Sequence, residues 1–384
     1  MILWFIDFMD PNLPTNRNLS RLIALVFMLA GTGSILQIGG GNWDVTSHLL
    51  LKPETFFTPS HAILYTGIFV LIVSAILCIT LILRHKDLRQ NSIYLPLRLL
   101  ILGSSLSLIA GPGDYFWHQL FGVDGFLSPT HLLLITGMLI NSFGSAIGLV
   151  RITPAIQNLF VSKLCRIFLI FAFIALWLNL ISFIYIFALP ISNGELFNFN
   201  LNPIIESLIA IIFLPIVNSL VAISITKTTK KFGYLSLIGT GVFLMTLLTN
   251  ILPSVVTTAF MPYYLLSALP FFIVDVFLYN KSLLSRVAVD QNTKLIIAGT
   301  ISASLFYIIG YPWLPLALGN YLIPIDLEAV GFTTLDDIVP LFINSLHFVL
   351  PATIIIGALL GLFTAFIFLK FEKNIARKVH ASLK

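Results

Sequence analysis

"KPETFFTPSHAILYTG", residues 52–67, puts a histidine three residues into an apolar run long enough to cross a lipid bilayer. Seventy residues on, "GVDGFLSPTHLLLITG" (122–137) repeats the pattern of proline, hydroxyl, histidine and closing glycine. The resemblance extends upstream of both stretches. Asp44, His48 and His61 are matched by Asp114, His118 and His131, each as D-x3-H-x12-H. The same shift carries Glu54 to Asp124, Pro59 to Pro129, Ser60 to Thr130 and Gly67 to Gly137. A common offset across so many polar positions is expected of a tandem two-helix unit.

The surrounding composition fixes the setting. The 384-residue chain is 58% hydrophobic and 10% charged, with a mean hydropathy of +1.00. Soluble domains carry about 25% charged residues, so the expectation is an all-α, polytopic membrane bundle. With roughly 20 apolar residues per crossing, about ten spans are expected. They lie near 20–40, 59–83, 94–112, 129–150, 164–189, 203–226, 233–251, 260–279, 295–318 and 340–369. The first four form a unit over residues 1–151, and 152–384 adds about six more.

Lysines and arginines mark alternate loops: Arg84, Lys86 and Arg89; Arg151, Lys163 and Arg166; Lys227, Lys230 and Lys231. The intervening loops carry acidic residues instead, such as Glu195, Asp326, Glu328, Asp336 and Asp337, with Lys52 the exception. Basic residues stay on the cytoplasmic side of a membrane, so both termini are expected in the cytoplasm, in a plasma or cytoplasmic membrane, with both histidine motifs facing out. The net charge of +5 follows from these loop clusters and gives no reason to expect a nucleic-acid partner. Cys78 and Cys165 fall within or beside apolar runs and offer neither a disulfide framework nor a CxxC metal site. The opening "MILWFIDFM" lacks the basic start and cleavage site of a signal peptide.

The local chemistry of each copy is readable. Thr58 or Ser128 stands where a hydroxyl caps a helix, with Pro59 or Pro129 at the first helical position. Asp and His four apart share a helix face, and the following turn brings the second histidine back to them. Each unit can therefore converge one carboxylate and two imidazoles. That set suits copper, iron or zinc and leaves positions open for other ligands. Ionisable groups at membrane depth are costly and usually functional. The bland counterpart is a hydrogen-bonded clasp between helix ends. Bis-histidine haem is disfavoured by the carboxylate in each copy.

Asp44, His48 and His61, followed by "PETFFTPSH", resemble the metal-binding segment of the C subunit of the copper membrane monooxygenases. That family carries D-x3-H-x12-H with a "DTDFTPSH"-like run before its second histidine. Phe57, Thr58, Pro59 and Ser60 match outright, and Glu54 stands for the acidic residue. The family also has an Asn-x3-His followed by a histidine, and here Asp114 replaces the asparagine ahead of His118 and His131. The resemblance covers about residues 17–151. It implies copper at Asp44, His48 and His61, a second copper at Asp114, His118 and His131, oxidoreductase activity at the outer face, and membrane partner subunits. Residues from about 163 onward have no counterpart in it.

Two other functions compete: a transporter or channel for protons, metal ions or a small molecule, and a non-catalytic partner subunit. Glu54, Asp124, Glu206 and His347 are candidates for support around the site. Asp275 is expected to be solvated or capped near the inner end of its helix. Asn179 and Asn218 are expected to join helices. The glycines of "GTGSILQIGGG" (31–41) signal either close helix packing or an unwound helix end.

Overall fold

The computed structural model describes residues 13–14, 16–49, 52, 55, 57–121, 127–188, 201–255, 258, 261–279, 290–309 and 354–374. Among these there is no β-strand. The helices are α1 (Arg17–Leu49), α2 (Pro59–Arg84), α3 (Tyr94–Phe121), α4 (Pro129–Ile152), α5 (Leu159–Ala188) and α6 (Pro203–Thr229). They continue as α7 (Tyr234–Ile251), α8 (Met261–Tyr279), α9 (Gln291–Ile309) and α10 (Ile354–Asn374). Eight of them, all but α8 and α9, are long and apolar enough to cross a membrane. The chain is thus an α-helical integral membrane protein.

Helix starts follow from local chemistry. Proline opens α2, α4 and α6, where its missing N–H leaves nothing unsatisfied. Ser128 Oγ accepts the His131 N–H at 3.2 Å and caps α4. Thr58, its counterpart, does not cap α2 with its side chain and instead donates to the Thr55 carbonyl at 3.1 Å. At the α6–α7 turn, Lys230 and Gly233 take left-handed backbone at φ 51° and 93°. Asp275 on α8 caps α7 from outside: its Oδ2 accepts from Gly233 N, Ser236 N and Ser236 Oγ at 2.8–3.0 Å. It is wholly buried, so of the two environments expected for it, solvated or capped, the cap is the one present.

Helices α1–α4 close a ring, each against the next, with α4 returning to α1. The α1–α2 and α3–α4 pairs approach closely through glycines. A Cβ at Gly67 would stand 2.8 Å from the Gly33 carbonyl oxygen, and one at Gly137 would stand 2.9 Å from that of Gly103. Gly33 abuts Leu71, and Gly103 abuts Asn141. These contacts of one pair recur in the other at a shift of seventy positions. The diagonal helices α1 and α3 meet through Gln37 Nε2, which donates to Ser107 Oγ at 3.0 Å. Those residues are also seventy apart.

Helix α5 packs on α1 and α4 and joins this ring to α6, which lies against α9; α7 pairs with α8. Asn179 donates to Ser142 Oγ across α5–α4 at 2.8 Å. Asn218 accepts from Trp177 and donates to the Ser302 carbonyl, both at 2.7 Å, tying α6 to α5 and α9. Lys227 and Glu372 form an ion pair between α6 and α10. The glycine cluster 31–41 stays helical inside α1, with Leu64 and Met245 filling the space a side chain would take. Close packing, rather than an unwound end, is its role.

Candidate metal centre

Both carboxylates stand near the C-terminal ends of long helices. α1 runs past residue 40 to Leu49, and α3 runs through Pro112 to Phe121. Asp44 and Asp114 are therefore helical, each with its histidine one turn on.

In the first copy, Asp44 Oδ1 accepts from Ser60 Oγ at 2.9 Å, and His61 Nε2 lies 2.9 Å from the same oxygen. His61 Nδ1 is 2.9 Å from the Thr55 carbonyl oxygen, and the ring stacks on Tyr65 with centroids 5.8 Å apart. A carbonyl only accepts, so Nδ1 carries a hydrogen. A neutral ring in that tautomer would turn a bare lone pair on Nε2 toward a carboxylate. That approach requires a proton or a cation between the two atoms. His48 lies one turn beyond Asp44 on α1, and its side chain falls outside the described residues.

In the second copy all three groups converge. Thr130 Oγ1 donates to Asp114 Oδ1 at 2.7 Å. His131 Nε2 is 3.3 Å from Asp114 Oδ1, and His118 Nε2 is 3.5 Å from Oδ2. The histidine rings lie 5.6 Å apart, and the three ligand atoms fall within 4.8 Å of one another. Each of these side chains is between 23% and 27% exposed, shielded but open to a small ligand. Donors at 2.0–2.1 Å around a tetrahedral metal sit about 3.4 Å apart, so these nitrogen–oxygen spacings fit one ion. Asp114, His118 and His131 thus form a group able to hold a metal, and their geometry does not select its identity.

The other candidates lie elsewhere. Glu206 is one turn into α6, which packs chiefly on α5, α7 and α9, so it is not brought to the α1–α4 centres. It is 3% exposed, with Oε2 unpartnered. Glu54, Asp124 and His347 fall outside the described residues. Sequence reasoning paired Ser60 with Thr130 but gave neither a role; both hydroxyls bond the motif carboxylate. It passed over Tyr65, which no repeat signal marks because its counterpart is Ile135. No protein family, curated protein or solved structure matches the chain.

Proposed function

We propose that the chain is an integral membrane metal-binding protein whose Asp114, His118 and His131 hold one transition-metal ion near the membrane surface. The convergence of those three side chains carries the reading. Copper is the preferred ion, because two imidazoles and a carboxylate suit it and because of the resemblance to the copper membrane monooxygenase C subunit. Bound copper would supply one-electron redox chemistry at that surface, which makes oxidoreductase function with membrane partner subunits the preferred activity.

The chain's own residues do the positioning. Thr130 Oγ1 donates to Asp114 Oδ1 and fixes how the carboxylate faces the two imidazoles. Ser128 locks the first turn of α4 and so sets the backbone from which His131 projects. We read α1–α4 as a duplicated two-helix unit, with both motifs outward and both termini in the cytoplasm as the basic loops direct. The first copy offers a weaker second position: a metal there would have to enter between His61 Nε2 and Asp44 Oδ1, which already stand 2.9 Å apart.

Transport is the alternative, and what favours it is Glu206, a buried carboxylate with an unpartnered oxygen in the other half of the bundle. Elemental analysis of the purified protein separates the two. A metal centre predicts a stoichiometric ion that survives purification and is lost in His118→Ala and His131→Ala with helix content unchanged. Absence of retained metal in the wild type, combined with proton or metal flux in proteoliposomes that Glu206→Gln abolishes, would replace the first reading by the second.

A further inference from the structure

Two turns below the carboxylates, the α1–α4 ring contains a layer of buried amides and hydroxyls. Gln37 precedes Asp44 by seven residues and Ser107 precedes Asp114 by seven, a depth of about 10 Å along each helix. Gln37 uses Nε2 on Ser107, and its Oε1 has no partner. One turn deeper, Ser104 Oγ lies 3.1 Å from the Leu71 carbonyl and 3.3 Å from Asn141 Oδ1. A hydroxyl has one hydrogen to give, so it serves one of those oxygens at a time. Whichever way the Asn141 amide is turned, one of its two polar atoms stays unmatched, and as placed that atom is Nδ2. Gln37 and Asn141 are both wholly buried. Leaving an amide atom dry at that depth costs several kcal/mol in hydrocarbon.

We propose that the axis of the α1–α4 ring binds internal water, held by the amides of Gln37 and Asn141. The ligand is neutral, because the buried polar side chains of α1–α4 between the carboxylates and Arg151 are all uncharged. It both donates and accepts, since Gln37 offers an acceptor and Asn141 a donor. Small molecules of that kind commonly occupy such sites, and buried waters average about three hydrogen bonds each. The glycine contacts explain why helices this close still leave polar side chains facing inward: Gly67 and Gly137 lie against Gln37 and Ser107 themselves. The hydrated layer does not cross the protein. Toward the basic end the buried residues of these helices include Phe27, Cys78, Leu97 and Leu149, all apolar and wholly buried. Water here serves the histidine-bearing end of the bundle alone, as a hydrogen-bonded reserve beneath both Asp–His pairs. This inference stands whether or not a metal binds above it.

The test is water-edited solid-state NMR on the full chain in bilayers, with Asn and Gln side-chain amides labelled with 15N. Asn218 is an internal dry control: it is equally buried, and both its amide atoms have protein partners. Exposed Gln90 and Gln157 are wet controls. Signals from Gln37 and Asn141 are expected to gain polarisation from water several-fold faster than Asn218 and to approach Gln90. Transfer as slow as at Asn218 would overturn the proposal. Gln37→Leu and Asn141→Leu identify the two signals, and sequential assignment of the wild type does so if either variant fails to fold.

Discussion

The two motifs stand seventy positions apart on the α1–α2 and α3–α4 helix pairs, and their described contacts differ. Around Asp44, one carboxylate oxygen takes both the Ser60 hydroxyl and His61 Nε2, each at 2.9 Å. Around Asp114 the carboxylate spreads its two oxygens, one toward His131 at 3.3 Å and the other toward His118 at 3.5 Å. The first arrangement is a tight pair at hydrogen-bond distance; the second has donor spacings suited to a metal. The described difference is that His61 Nε2 stands 2.9 Å from its carboxylate oxygen and His131 Nε2 stands 3.3 Å from the matching one.

The largest expected effect tests that contrast directly. The purified protein should retain about one metal ion per chain, because the three ligand atoms of the second motif lie within 4.8 Å of one another while His61 Nε2 already stands at hydrogen-bond distance, 2.9 Å, from Asp44 Oδ1. Asp114→Ala should reduce retained metal to background, and Asp44→Ala should leave it in place, both measured by elemental analysis. Two ions per chain, or equal losses in the two variants, would erase the distinction. A smaller effect sharpens it. Thr130 Oγ1 bonds the ligating carboxylate, so Thr130→Val should weaken metal affinity about 10–100-fold, the usual cost of removing such a partner. Ser60→Ala should leave that affinity unchanged.

Other changes should treat the copies alike, because the helix pairs beneath the motifs pack alike. A methyl group at Gly67 or at Gly137 meets backbone of the partner helix at under 3.0 Å. Gly67→Ala and Gly137→Ala should each destabilise the protein by about 1–3 kcal/mol, the cost of overpacking. Thermal unfolding in detergent or nanodiscs measures both. A large loss for one and none for the other would show that the shared shift of seventy does not extend to the packing energy.

The shift of seventy was readable in the residues because polar positions in an apolar chain stand out, and Asp, His, Pro and hydroxyl all recur at one offset. Apolar length placed most helices well. It set the end of α1 near residue 40 because hydropathy falls there, whereas helical hydrogen bonding continues to Leu49. That continuation puts Asp44 and His48 on one face. The glycines at 31–41 were ambiguous since what excludes a side chain there comes from Leu64 and Met245, neither adjacent in sequence. The partner of His61 Nδ1 is a backbone carbonyl, which no side-chain pattern can reveal. Gln37 and Ser107 carried no obvious pairing because a glutamine and a serine are unlike residues, although they too stand seventy positions apart.

The smallest expected effect concerns the two helix starts. Thr58 and Ser128 occupy matched positions before a proline, and by sequence either hydroxyl suits a cap. Only Ser128 accepts a backbone N–H; Thr58 turns its hydroxyl to the Thr55 carbonyl instead. An N-cap side chain contributes about 0.5–2 kcal/mol, so Ser128→Ala should lower stability within that range. Thr58→Ala should cost less, because the exposed hydrogen bond it removes competes with water. Thermal unfolding of the two variants side by side gives the comparison. Equal losses would mean that α2 is capped by Thr58 after all. The two helix starts would then be equivalent, and the different distances of His61 and His131 from their carboxylates would have another source.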